Sequence, residues 1–126
     1  MKTASAKAKG RRLQDWVVAR ILNYWPQLTS DDVKGAIMGE SGEDVKMSTL
    51  AKKLLQIAIE CKNRERLNVW AEYDHAKSHT VLENKNSQLH REPILIIKKN
   101  NKKPLVVVNA DYFFWMHRQG MDLNDR

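Results

Sequence analysis

The spacing of apolar residues near the start of the chain predicts a helix over residues 9–25. Leu13, Val17 and Ile21 recur at four-residue intervals, which places them on one face of a helix. A proline directly after this segment ends it. Residues 1–8 are mostly Lys, Ala and Ser, and we expect them to form a flexible basic arm.

Three short segments, separated by polar and glycine-rich connections, have the patterns of β-strands. The segments are residues 33–38, 44–47 and 56–62. Between the last two, Ser48 is a candidate cap for a single helical turn over residues 49–54. A second helix is predicted over residues 64–78, whereas residues 79–92 are polar and predict no element.

The last third of the chain predicts a hairpin and a closing helix. Apolar runs over residues 94–97 and 105–108 flank a polar turn, which is typical of two strands buried on both faces. An aromatic-rich helix is predicted over residues 111–118, ending near Gly120. The order helix, three strands, helix, two strands, helix predicts an α/β fold with a central mixed sheet flanked by helices.

A length of 126 residues suits one domain, which we expect over residues 9–120, followed by a tail over residues 121–126. No apolar run approaches the roughly 20 residues that cross a bilayer, so we expect no membrane partner. A single cysteine, Cys61, rules out an internal disulfide and suits a reducing cytoplasm.

The formal net charge of +7 favours a polyanionic partner, because each neutralised phosphate releases counterions. The basic residues form two groups in the sequence. These groups are Lys7, Lys9, Arg11 and Arg12, and Lys98, Lys99, Lys102 and Lys103. They predict either phosphate contacts or two solvated cationic surfaces.

Alternation along the third predicted strand places Glu60 and Lys62 on one face, with Ile59 and Cys61 on the other. Asp44 belongs to the second predicted strand, and it meets Glu60 if the two strands pair. Two neighbouring carboxylates repel each other and are best tolerated around a hard divalent cation such as Mg²⁺. The sequence therefore predicts a metal site, with Lys62 beside it to orient a water or balance phosphate charge.

Taken in order, these pieces resemble the PD-(D/E)xK nuclease superfamily, and most closely its archaeal-type Holliday junction resolvases and small phage-encoded relatives. The resemblance covers roughly residues 9–110. The matching pieces are Lys9-Gly10 at the start of the first helix, residues 41–45 around Asp44, residues 60–63 around Glu60 and Lys62, residues 70–77 on the next helix, and the strand over residues 94–97.

The resemblance implies a restriction-endonuclease-like αβββαβ core. It also implies a metal-dependent endonuclease that acts as a homodimer on branched or duplex DNA. It implies that Asp44, Glu60 and the carbonyl of Cys61 bind Mg²⁺, for which Mn²⁺ can substitute. It also implies that Lys62 acts on the attacking water and that the basic start grips the DNA backbone. A phage-encoded relative would act in the host cytoplasm.

Two residues depart from the family pattern. Gln14 stands where relatives often carry a glutamate, and it either orients a water at the metal site or is a core glutamine bonded to backbone. His75 stands where relatives tend to carry glutamine, and it either contacts a DNA phosphate or lies at the helix edge.

Three other interpretations are open. A zinc site could use His75 and His79, one helical turn apart, with His90 or Cys61. A catalytically silent nucleic-acid-binding module would keep the basic groups without needing the acidic site. The four aromatic residues 112–115 and Met116 could instead form an interface in an assembly protein or a homodimer.

Overall fold

Helices and strands follow one another in the predicted α/β order in the computed structural model, which describes residues 3–37 and 39–123. The elements are α1 (Thr3–Tyr24), β1 (Val33–Gly35), β2 (Val45–Met47), α2 (Thr49–Leu55), β3 (Ile57–Asn63), α3 (Val69–Lys85), β4 (Glu92–Lys98), β5 (Leu105–Val107) and α4 (Ala110–Leu123).

The strands form a mixed sheet of three strands and a smaller antiparallel pair. Strand β4 lies between β3, to which it is parallel, and β5, to which it is antiparallel. Strands β1 and β2 form the small pair. The predicted α/β class with a mixed sheet between helices is confirmed.

Helix α1 and strand β3 meet through complementary apolar faces. Leu13 and Val17 of α1 share one hydrophobic cluster with Ile59 and Cys61 of β3. The opposite face of β3 carries Glu60, which lines a cavity together with side chains of α3. The predicted alternation of β3 is therefore confirmed, and the sheet separates an apolar layer from a layer that contains ionisable groups.

The residue before β2 connects the small strand pair to the edge of the main sheet. The Asp44 amide donates to the Ile59 carbonyl at 3.1 Å, while the Ala36 amide donates to the Asp44 carbonyl at 2.8 Å. Asp44 therefore has β1 on one side and β3 on the other, and its backbone is fixed at the point where the two sheets meet.

Several element boundaries differ from the prediction. Helix α1 begins at Thr3, so residues 3–8, which we expected as an arm, form its first turns. Helix α3 begins at Val69, because Asn68 caps it by accepting from the Ala71 amide, and it continues to Lys85 through a segment with no predicted structure. The predicted cap of α2 is confirmed, since Ser48 accepts from Ala51.

Parts of three predicted segments lie outside the described residues. They are residues 1–2 of the arm, residue 38 at the end of the first predicted strand, and residues 124–126 of the tail. Residues 121–123 of the predicted tail belong to α4.

The predicted hairpin forms, but only one of its strands is buried. Ile94, Leu95 and Ile96 of β4 are covered on both faces, whereas Leu105 and Val106 of β5 are 63% and 57% exposed. The prediction of burial on both faces was wrong for β5, because this strand lies at the edge of the sheet. Among the described residues, no helix combines the length and apolar character needed to cross a bilayer.

A buried ion pair fixes the segment that carries Asp44. The Arg91 guanidinium donates two parallel hydrogen bonds to the Glu43 carboxylate, both 2.9 Å long, and a third of 2.8 Å to Glu83 on α3. The Arg91 side chain is 1% exposed, so its charge is compensated by protein groups alone. This pair ties the residue before Asp44 to the start of β4.

Replacing Arg91 with methionine should therefore destabilise the protein strongly, because it leaves the buried Glu43 carboxylate without its partner. We expect a loss of about 3–5 kcal/mol in the free energy of unfolding, measured by urea denaturation at pH 7. Arg64→Met is the matched control, since that guanidinium is 58% exposed beside Glu72 and should cost less than about 1 kcal/mol. Equal, small losses in both variants would contradict a structural role for the buried pair.

Candidate active site

The carboxylate of Asp44 is bound to the backbone of β3 directly beside Glu60. Its Oδ2 accepts a hydrogen bond of 2.7 Å from the Cys61 amide, and its own amide donates to Ile59. Only one peptide bond separates the Cys61 nitrogen from the Glu60 Cα, so this carboxylate oxygen lies within roughly 6 Å of that Cα. The structure thus brings together the two acidic residues that the sequence placed on separate strands.

Glu60 is an unusual carboxyl group because it is buried without an adequate partner. Only 8% of its side chain is exposed, and its Oε1 has no hydrogen-bond partner among the described residues. Burial, followed by the negative charge of Asp44, raises the pKa of Glu60 to about 7, although the ammonium of Lys62 opposes the rise. A cation beside Glu60 would supply the compensation that the protein lacks.

Lys62 lies on the same face of β3 as Glu60, as predicted from the alternation. Its ammonium is 3.6 Å from the carboxylate of Glu72, which also accepts a hydrogen bond of 3.3 Å from Arg64. Helix α3 therefore holds the Lys62 ammonium near the acidic groups through Glu72. Sequence reasoning did not assign Glu72 a role, although it belongs to the segment that resembles the nuclease family.

A cavity of about 200 Å³ lies between α1 and the segment that joins β1 to β2, and Asp44 lines it. Gln14, Lys7 and Arg11 line it from α1, and these residues are spaced so that they share one face of the helix. Gln14 is partly buried and faces this cavity rather than the apolar cluster alone. Two cations and an amide from α1 therefore line the cavity beside Asp44, together with the carboxylate of Glu40.

The other residues predicted to bind DNA are placed differently. Lys9 is 5% exposed, and its ammonium lies 3.8 Å from Glu65, while its carbonyl accepts from the Asn63 side chain. A buried ammonium does not reach a phosphate on the surface, so we correct the expectation for Lys9 and assign it a structural position. Arg12 is exposed and lies outside the group that lines the Asp44 cavity.

Asp44 and Glu60 face different cavities. Glu60 lines a second, smaller cavity of about 40 Å³ under α3, together with Glu43 and His79. Nevertheless, the charge of Asp44 is the largest charge contribution to the raised pKa of Glu60, which requires the two carboxylates to be close. That Asp44 and Glu60 bind the same ion stays a prediction. Binding of this ion by the Cys61 carbonyl also stays a prediction.

His75 does not line the cavity beside Asp44, where Lys7 and Arg11 lie. Instead, ligand atoms of His75, His79 and Glu60 lie within 4.8 Å of one another. The sequence signal for this cluster was the four-residue spacing of the histidines on a helix. Glu60 was missed as their neighbour, because its contact with α3 depends on how that helix packs over β3.

The Cys61 thiol faces the apolar layer, away from these ionisable groups. Burial raises its pKa well above the ordinary value, and the charge of Asp44 adds to the rise. The thiol therefore stays protonated at neutral pH, which disfavours it as a zinc ligand. The ligand atoms that the described residues bring together are those of Glu60, His75 and His79, and Cys61 is not among them.

The donor set around Asp44 and Glu60 suits a hard cation such as Mg²⁺. Both side chains offer carboxylate oxygens, and such oxygens together with water are the ligands that Mg²⁺ prefers. Comparison of the chain with protein-family models, with curated proteins and with solved structures gave no match in any of the three.

The raised pKa of Glu60 predicts a pH-dependent cost to stability in the absence of metal. The folded protein keeps a proton on Glu60 at pH values where the unfolded chain, with its lower pKa, releases it. The free energy of unfolding therefore falls as pH rises from about 4.5 to about 7. Glu60→Gln removes this cost, because the amide is never charged.

We expect Glu60→Gln to change stability little at pH 5 and to raise the free energy of unfolding by about 1–3 kcal/mol at pH 8. Urea denaturation in the presence of a chelator measures both values. Asp31→Asn, at an exposed turn position, should show no such gain. A Glu60→Gln variant that is less stable than the wild type at pH 8 would show that the ionised carboxylate is well compensated.

Proposed function

We propose that this chain is a metal-dependent DNA endonuclease with a restriction-endonuclease-like core. The observation that carries the proposal is the hydrogen bond from the Cys61 amide to Asp44, which brings a second carboxylate beside the buried Glu60. Lys62 lies on the same strand face as Glu60, two residues further on. An acidic pair that can hold a cation, with an adjacent lysine, is suited to phosphodiester hydrolysis.

Each side chain has a distinct task in this proposal. Asp44 and Glu60 hold the cation, which when bound lowers the pKa of a water and neutralises charge on the phosphate. The Lys62 ammonium, held by Glu72, orients the attacking water or contacts a phosphate oxygen. Gln14 hydrogen-bonds a water in the cavity that Asp44 lines, without adding charge.

The basic residues around the Asp44 cavity support DNA as the substrate. Lys7 and Arg11 lie one helical turn apart, are exposed, and line the cavity that leads to Asp44. Contacts of this type are made to the phosphate backbone and carry no base specificity. We therefore propose branched or duplex DNA, bound through its phosphates, as the substrate.

The acidic site should be required for cleavage but not for binding. We expect Glu60→Ala and Lys62→Ala each to reduce Mg²⁺-dependent nicking by about 100-fold or more, because each removes a group that acts on the reacting phosphate. Plasmid, flap and four-way-junction substrates measured with Mg²⁺, with Mn²⁺ and with chelator report cleavage. Gel-shift assays in Ca²⁺ report binding.

Lys53→Ala and Asp31→Asn are matched controls, because both residues are exposed and lie on α2 or in a turn away from β3. They should cleave like the wild type. Nicking at the wild-type rate by the Glu60→Ala or Lys62→Ala variant would contradict the proposed roles of these residues. DNA binding without cleavage by the wild type would instead favour the silent binding module, for which the amide of Gln14 in place of an acid is the supporting observation.

The double variant Lys7→Gln with Arg11→Gln should weaken DNA binding on every sequence. Each lost phosphate contact lowers the slope of log K against log salt by about 0.9, so we expect a change of nearly 2. Arg20→Gln with Lys53→Gln removes the same charge elsewhere and should leave the slope near the wild-type value. An equal change in both double variants would mean that only net charge matters.

We also propose that the protein is a homodimer that uses helix α4. Phe113, Phe114, Trp115 and Met116 are all exposed on this helix, and Phe114 is 67% exposed. Consecutive residues of a helix point in different directions, so one core cannot cover all four of these apolar side chains, and exposed apolar surface of this kind is typical of an interface. Sedimentation velocity at micromolar concentration should give a dimer, and Phe114→Glu a monomer. If the wild type sediments only as a monomer at this concentration, the proposed dimer is contradicted.

A further inference from the structure

Two imidazoles of helix α3 approach the carboxylate of Glu60. His75 and His79 are one helical turn apart, and their ring centroids lie 4.5 Å from each other. The Nδ1 of His79 is 3.5 Å from Oε1 of Glu60. One ligand atom from each of the three side chains lies within 4.8 Å of the other two.

The buried atoms of this cluster have no partner. Among the described residues, neither Oε1 of Glu60 nor Nδ1 of His79 has a hydrogen-bond partner, and both atoms are inaccessible to solvent. A buried polar group that has no partner destabilises the folded protein. Two of them facing each other at 3.5 Å indicate a ligand that contacts both.

The distances suit a small metal ion. Zinc binds imidazole nitrogen and carboxylate oxygen at about 2.0–2.2 Å, so two of its tetrahedral ligand atoms lie about 3.3 Å apart. The separation between His79 and Glu60 is already close to this value. His75 is exposed, so its imidazole can rotate towards the ion without repacking the core.

We infer that Glu60, His75 and His79 form a site for a divalent transition metal ion, with zinc as the preferred ion. Three protein ligands leave one coordination position for water or for an anionic ligand, as in exchangeable and catalytic zinc sites. The two imidazoles distinguish this site from the oxygen-only set around Asp44, because nitrogen donors favour zinc over Mg²⁺.

Negative charge around Glu60 strengthens the case for a cation. Asp44, Glu43 and Glu72 all act on the Glu60 carboxyl group, and Lys62 only partly offsets them. A divalent ion at the histidine pair would compensate these charges directly beside the buried carboxylate of Glu60.

The site does not depend on the proposed nuclease activity. It requires neither DNA nor Asp44, and its two imidazole ligands, His75 and His79, take no part in the proposed cleavage chemistry. Failure of one proposal can therefore be distinguished from failure of the other, provided that metal binding is measured on the free protein.

The test uses the untagged full chain without DNA. Zinc affinity is measured by competition with a chromophoric chelator, and Co²⁺ as a substitute reports coordination through its visible absorption. We expect one equivalent of zinc to bind, and His75→Gln and His79→Gln each to weaken binding by tenfold or more. Long-range ¹H–¹⁵N spectra of the wild type should show zinc-induced shifts of the same two imidazoles, which does not require a variant to fold.

His90→Gln and His117→Gln are the matched controls, because both histidines are exposed and lie outside the cluster. They should bind zinc like the wild type. Stoichiometric binding that the His75 and His79 changes weaken supports the site even if no DNA is ever cleaved. Absence of binding, or binding that these two changes leave unaltered, overturns it even if Mg²⁺-dependent cleavage is observed.

Discussion

The candidate site depends on the hydrogen bond between the Asp44 carboxylate and the Cys61 amide. Strands at the edge of a sheet have unpaired amide groups, and here a side chain occupies one of them in place of another strand. This bond fixes a carboxylate beside the strand that carries Glu60. Because Arg91 holds the neighbouring Glu43, the whole segment before β2 has little freedom to move Asp44 away.

The structure compensates its buried charges unequally. Glu43 receives two hydrogen bonds from Arg91, whereas the equally buried Glu60 has an unpaired oxygen and a raised pKa. Stability alone would favour a neutral residue at position 60, because an ionised carboxylate there has lost its water without gaining a partner. A bound cation would account for this difference, and the two proposed metal sites, one beside Asp44 and one at the histidines, both rest on the uncompensated charge of Glu60.

Local patterns in the sequence predicted the order of the elements and the two faces of β3. The four-residue stripe of α1 and the alternation around Glu60 depend only on neighbouring residues, so they could be found without coordinates. The exposure of β5, the burial of Lys9 and the approach of His79 to Glu60 could not. Each depends on which element packs against which, and that is decided by contacts between residues far apart in the sequence.

The most direct measurement is the position of a paramagnetic ion on the protein. Mn²⁺ is added to ¹⁵N-labelled protein in which His75 and His79 are glutamine, so that only the acidic pair is left to hold it. We expect the amide signals of Asp44 and Cys61 to broaden first, and Asp44→Asn to abolish this effect. Broadening that is centred elsewhere, or that persists in the Asp44→Asn protein, would contradict an ion held between Asp44 and Glu60.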